Sequence, residues 1–167
     1  MMSELGSTGD DRNNQPADAD LAAQWVAENC PIIDGIVFGD GRIKQLFAVR
    51  NKQVNEGPGM KIQPGGWMTL ADLQKKGQLD WTGILDLCVA EDLARGIRIL
   101  GGEGGYGADG FVANIRSDSG EIVWIAFFTS SNPFEEVQIH SDHVLARTNL
   151  DMWWRFPLDA PEEVTLQ

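Results

Sequence analysis

Residues 122–128 read IVWIAFF, an unbroken apolar run in which neither face of an extended chain would be polar. A strand of that composition has to be covered above and below, so it is the predicted central strand of a sheet. Just before it, residues 110–116 read GFVANIR, with Phe111, Ala113 and Ile115 on one side and Val112, Asn114 and Arg116 on the other. That alternation predicts a strand with one buried face. The intervening SDSG, residues 117–120, has the composition of a tight turn, with Gly120 free to take positive φ. On the other side, SSNP at 130–133 breaks the chain before residues 134–140, which alternate again and place Val137 and Ile139 together. Ser141 and Asp142 then close a hairpin onto residues 143–148. In the last run, MWWRF at 152–156, Met152, Trp154 and Phe156 share one side while Trp153 and Arg155 share the other. Residues 101–158 therefore predict an antiparallel meander of about five strands, ended by Pro157 and Pro161.

Residues 1–17 are rich in Ser, Gly, Asp, Asn and Gln and predict a flexible tail, with one α+β domain over residues 18–167. Leu21, Ala22, Trp25 and Val26 recur at helical spacing, with Asp18 or Asp20 as N-cap and Pro31 as a stop, which predicts a helix of about ten residues. Residues 32–38 and 43–49 are β-type runs joined by Gly39, Asp40, Gly41 and Arg42, a hairpin signature. Residues 50–66 read as a loop carrying Arg50, Lys52 and Lys61. Thr69 and Asp72 have capping-box spacing and Gly77 the place of a glycine C-cap, so a short helix is expected there. A longer helix is expected over 81–95, with Trp81, Ile84, Leu85, Cys88 and Val89 as its apolar stripe and Gly96 as terminator. The expected architecture is thus a C-terminal meander with an N-terminal hairpin and two to three helices packed on the sheet.

Charge is distributed unevenly. Up to Asp80 there are 8 Lys and Arg against 11 Asp and Glu; from Trp81 onward there are 5 Arg, no Lys and 14 acidic residues. An acidic half without lysine is a poor surface for phosphates, so direct nucleic-acid binding is not expected, and a basic protein is the natural partner. No apolar run reaches the roughly 20 residues of a membrane helix, and the N-terminal residues do not have the apolar core of a signal peptide. Cys30 and Cys88 fit no metal or redox spacing and read as reduced thiols, which makes the cytoplasm the default compartment.

The motifs that suggest chemistry each have a plainer explanation. Residues 102–107, GEGGYG, satisfy G-x-G-x-x-G, but the dinucleotide fingerprint needs a strand before and a helix after it. Here a strand follows, and Glu103 occupies the place of phosphate, so the glycines read as a turn. His140 and His143 flank a hairpin turn with Asp142, a set that would suit a metal only with a further ligand; exposed turn histidines are the simpler reading and no cofactor is expected. There is no G-x-S-x-G elbow, and neither cysteine has the setting of a nucleophile, so catalysis is not expected. Glu103, Tyr106, Asp109, Glu135, Glu136, Asp142 and Trp153 remain as carboxylates and aromatics on turns or outer strand positions, a set suited to docking on a basic cleft.

Residues 97–161 resemble small bacterial immunity proteins of polymorphic-toxin systems, the antitoxins that accompany contact-dependent or type VI secreted effectors. The likeness is carried by GEGGYGADGF at 102–111, WIAFFTSSNPF at 124–134 and WRFP at 154–157. It implies a non-enzymatic cytoplasmic protein that neutralises a cognate toxin, with a nuclease-like toxin favoured because its cleft is basic. The alternatives are an acidic mimic of nucleic acid that blocks a DNA-binding enzyme, and a small ligand-binding or enzyme domain.

Overall fold

The structure, a computed structural model, describes residues 20–52 and 59–167. The expected tail over 1–17 and residues 53–58 of the expected loop lie outside the described residues. The elements in chain order are α1 (Leu21–Val26), β1 (Asn29–Pro31), β2 (Gly35–Phe38), β3 (Arg42–Arg50), β4 (Met60–Thr69), α2 (Leu70–Lys75), β5 (Trp81–Gly83), β6 (Leu85–Asp92) and β7 (Ile97–Glu103). They continue through β8 (Gly110–Arg116), β9 (Ile122–Phe128), β10 (Phe134–Ile139), β11 (His143–Thr148), β12 (Trp153–Pro157) and β13 (Thr165–Leu166). Among the described residues the strands form three antiparallel sheets, of seven, four and two strands.

The seven-stranded sheet has the order β4-β3-β2-β9-β8-β7-β6, so the IVWIAFF strand is its middle member. Its two faces belong to different cores. Trp124, Ala126 and Phe128 pack toward β10–β13, where they meet Phe134, Val137, Val144, Ala146, Trp154 and Phe156. Ile125 and Phe127 pack the opposite way with Leu21, Cys30, Ile33, Val37, Ile43 and Leu70, beneath α1, the β1–β5 pair and α2. The result is three layers with the large sheet in the middle.

Several expectations are corrected here. The five-strand meander does not form one sheet: after β9 the chain leaves the large sheet, β2 pairs with β9 instead, and β10–β13 make a second sheet stacked on the first. β8 is covered on both faces, because Val112 and Asn114 are buried against the second sheet while Phe111, Ala113 and Ile115 face the other core. Asn114 made one face look polar although it is only 5% exposed. The long helix over 81–95 is replaced by strands β5 and β6 and a single 3-10 turn, Leu93–Arg95, after which Gly96 takes φ +68. Trp81, Ile84, Leu85, Cys88 and Val89 recur at helical spacing while Leu85, Leu87 and Val89 occupy alternate positions, and pairing with β7 decides for the strand. α1 has only six residues, capped by Asp20, and ends at Ala27, ahead of Pro31, which lies in β1. Within the expected loop, residues from Met60 onward are strand β4, paired with β3.

Other readings stand. Thr69 Oγ1 accepts from the Asp72 amide at 3.1 Å and Asp72 Oδ2 from the Thr69 amide at 3.1 Å, the reciprocal box that starts α2. The β2–β3 hairpin turns at Asp40 and Gly41, and the β10–β11 hairpin at Ser141 and Asp142. Trp154 is fully buried between Phe128, at 4.7 Å, and Phe134, at 5.5 Å between ring centroids, whereas Trp153 lies half-buried on the outer face of the small sheet. Gly101 lets the two sheets approach: a Cβ there would lie 2.8 Å from Cys88 Sγ and 3.1 Å from Val137 Cγ1.

This arrangement separates the two adjacent tryptophans energetically. Trp154→Ala is expected to cost about 3–5 kcal/mol by loss of a buried aromatic and the cavity left behind, read as a lowered denaturant midpoint. Trp153→Ala is expected to cost about 1 kcal/mol or less in the same measurement.

Candidate protein-binding face

The residues singled out from sequence are not all brought together. Glu103 ends β7 and Tyr106, 74% exposed, stands on the β7–β8 turn. Asp109 belongs to the same turn, but its carboxylate points inward at 1% exposure, accepting from the Gly104 amide at 3.1 Å and the Tyr106 amide at 3.3 Å. Thr82 Oγ1 accepts from the Gly105 amide at 3.0 Å and completes the cradle. Asp109 is therefore a cap for the turn, with no free carboxylate for a partner. The glycines also have packing reasons: a Cβ on Gly102 would strike the Leu85 carbonyl oxygen, and one on Gly104 the Asp109 carboxylate.

The other four candidates lie on the small sheet. Glu135 is the extra residue of a bulge in β10, and the next residue, Glu136, faces Arg147 of β11. Arg147 is held by Glu136 at 3.0 Å, Asp151 at 3.1 Å and Glu135 at 3.9 Å, and it is the ladder partner of Trp153. A hydrogen bond from Gln138 and the Arg147 guanidinium hold the Glu136 carboxyl below its usual range. Asp142 accepts from His143 Nδ1 at 2.6 Å and lies 3.9 Å from Arg155; its pKa is lowered, first by the hydrogen bond from His143. The imidazoles of His140 and His143 stack with centroids 4.7 Å apart and planes within 8°, so their lone pairs run parallel and do not converge on one point. Among the described residues no group of three or more His, Cys, Asp or Glu is placed to hold a metal ion.

Sequence reasoning missed the surface that joins these groups. β10 packs against β6 and β7, and Cys88 donates its thiol to the Phe134 carbonyl at 3.6 Å. Burial pushes the Cys88 thiol up to about 11 against an opposing Gly101 backbone hydrogen bond, and the charges of Asp86, Glu136 and Glu135 push the same way. Carboxylates of both β6 and β10 thus lie near enough to Cys88 for their charge to be felt there. Beside it Leu85, Leu87 and Val89 stand 57%, 43% and 58% exposed on β6. Asp86 has its pKa raised, first by burial and then by repulsion from Glu28, and among the described residues no cation pairs with either. The alternation of Leu85, Leu87 and Val89 was the signal available for a strand here, hidden by the helical spacing of Trp81, Ile84, Leu85, Cys88 and Val89, and the bulge at Leu87 leaves Leu85 on the opposite face from Val89.

A second feature lies at the far end of the large sheet. Phe38 stacks on Trp67 at 5.9 Å, with the Arg42 guanidinium 4.8 Å from the Phe38 centroid and Lys44 Nζ 5.5 Å from Trp67. An open cleft of about 790 Å³ adjoins it, lined in part by Trp25, Phe38, Arg42 and Val123. The two cations are already engaged, Arg42 with Asp40 at 2.8 Å and Lys44 with the Gly65 carbonyl at 2.6 Å. On the β6 side, by contrast, no ion pair among the described residues engages Glu28, Asp86 or Glu103.

Comparison with protein-family models, curated proteins and solved structures found no match. No helix among the described residues is long and apolar enough to cross a membrane.

Asp86→Asn is expected to raise the melting temperature at neutral pH by about 1–2 °C, as removal of a partly exposed repulsion warrants. The sign follows from the raised pKa: the folded state favours protonated Asp86, so its own unfavourable contribution is absent in acid and grows as pH rises from the usual carboxylate range through that raised pKa. The advantage of the variant should accordingly vanish in acid, as thermal melts across pH would reveal.

Proposed function

We propose that the chain is an immunity protein: a cytoplasmic, non-catalytic inhibitor that neutralises a protein toxin by covering its basic cleft. The observation that carries this reading is the edge strand β6, where Asp86 has no cationic partner among the described residues and Leu87 and Val89 stand exposed. The unpaired carboxylate supplies steering and orientation, and the exposed aliphatics supply area that a stable interface buries. The resemblance over residues 97–161 points the same way, and Trp153 beside Arg147 offers an aromatic anchor on the adjoining outer face. Arg147 is paired with Glu135 and Glu136 on the small sheet, and Arg95 and Arg98 with Asp92 and Glu91 at the end of β6. A nucleic-acid mimic needs free acids spaced like phosphates along a ridge, so this pairing favours the inhibitor. Nuclease toxins suit the charge best, because a site that holds phosphates is positive.

Co-expression with a panel of nuclease toxin domains is the test. One toxin should be tolerated only in the presence of this chain, and the association rate of that pair should fall steeply with salt, as for electrostatically steered complexes. No rescue across the panel, or turnover of a small molecule by the purified chain, would overturn the reading.

A further inference from the structure

The two edges of the seven-stranded sheet are treated differently. β4, at one edge, carries Lys61, Pro64 and the paired glycines Gly65 and Gly66 opposite a register shift in β3, features that discourage another chain from pairing. β13 also lies near β4. β6, at the other edge, contains neither lysine nor proline, and among the described residues its backbone pairs only with β7. A bulge falls at Leu87, between Asp86 paired with Gly102 and Cys88 paired with Gly101, and leaves residues 88–92 as a regular ladder. Along this edge the exposed Leu87 and Val89 follow the bulge, and the exposed Leu85, before it, lies on the opposite face from Val89.

Charge identifies the occupant. Asp92 and Glu91 are paired with Arg95, at 2.6 Å, and Arg98, at 2.7 Å. Glu28, Asp86 and Glu103 have no cationic partner among the described residues; Asp86 lies close enough to Glu28 to be repelled by it, and Glu103 is the ladder partner of Leu85. A segment lying along β6 would gain by placing cations near this end and aliphatic side chains over Leu87 and Val89. A second copy of the chain is a poor occupant, because each carries a net charge of -12 and would bring the same acids to the same edge. Residues 1–19 suit it no better, with Glu4, Asp10, Asp11 and Asp18 against Arg12 alone.

We infer that the open edge of β6 accepts an extended basic segment of the partner protein as an eighth strand. Main-chain hydrogen bonds to residues 88–92 would provide affinity, Leu87 and Val89 packing, and Glu28, Asp86 and Glu103 the preference for lysine or arginine. This rests on the reading of the chain as a protein-binding inhibitor and specifies where and how the partner is held.

The probe is a capped octapeptide of alternating valine and lysine, titrated at low salt into the isotopically labelled full chain while backbone amide shifts are followed. Saturable shifts centred on residues 85–92 are expected, with no binding by the glutamate–valine counterpart or by the same peptide interrupted by proline. The double variant Leu87→Lys, Val89→Lys should lower affinity by about tenfold. Perturbation centred elsewhere, no saturable binding, or equal binding of the glutamate peptide would overturn the inference. A wild-type dimer in sedimentation that the double variant dissociates would also overturn it, by assigning the edge to a second copy. The readouts separate the two levels: a toxin neutralised equally by wild type and by the folded double variant removes the edge assignment alone. Peptide pairing on β6 with no toxin neutralised leaves the edge assignment and removes the immunity reading.

Discussion

Everything in this molecule follows from one strand that cannot face water on either side. In β9 the side chains of Trp124, Ala126 and Phe128 leave by one face and those of Ile125 and Phe127 by the other, all of them buried. Each face demands its own cover. The covers are unlike: a four-stranded sheet on one side, helices and a two-stranded ribbon on the other. The aromatic cluster of Trp124, Phe128, Phe134, Trp154 and Phe156 holds the small sheet in place, and the Trp124 indole ties the end of β12 by donating to the Leu158 carbonyl at 3.2 Å. Burial of that many large side chains is the dominant favourable contribution to such a fold.

Stacking the second sheet shapes the proposed partner surface as a by-product of geometry. β10 has to sit close over β6 and β7, which Gly101 permits by having no side chain. That approach buries Cys88 beneath β10, and burial pushes its thiol up. At the start of β6, Asp86 is raised first by burial and then by the charge of Glu28, and repulsion of that kind is relieved when a cation arrives, which favours a basic partner. The aromatic platform at Phe38 and Trp67 lacks this imbalance, because its cations are already satisfied.

What the sequence revealed was local. The all-apolar run of β9, the Asp40–Gly41 hairpin, the capping box at Thr69 and the opposite facing of Trp153 and Trp154 were legible because neighbours in the chain decide them. What it concealed depended on distant partners. Insertion of β2 beside β9, with Gly35 opposite Phe127, splits the expected meander into two sheets, and no local pattern encodes it. Trp81, Ile84, Leu85, Cys88 and Val89 fit a helix as well as a strand until β7 provides the ladder. At the site, Glu135, Glu136, Asp142 and Trp153 could be picked out as outer residues of one sheet. Asp109 misled because free backbone N–H groups in the glycine turn draw its carboxylate inward. Asp86 and the exposed Leu87 and Val89 were invisible once that segment was read as a helix.

Where a partner sits is the decisive question. Amide hydrogen exchange of the chain bound to the toxin proposed as its partner addresses this directly, since a paired edge strand loses its exchange with solvent. The prediction is new protection concentrated in residues 85–92, with the bulge at Glu135 and Glu136 included. Protection confined to the surface around Trp25, Phe38 and Trp67, with β6 exchanging as in the free chain, would contradict it.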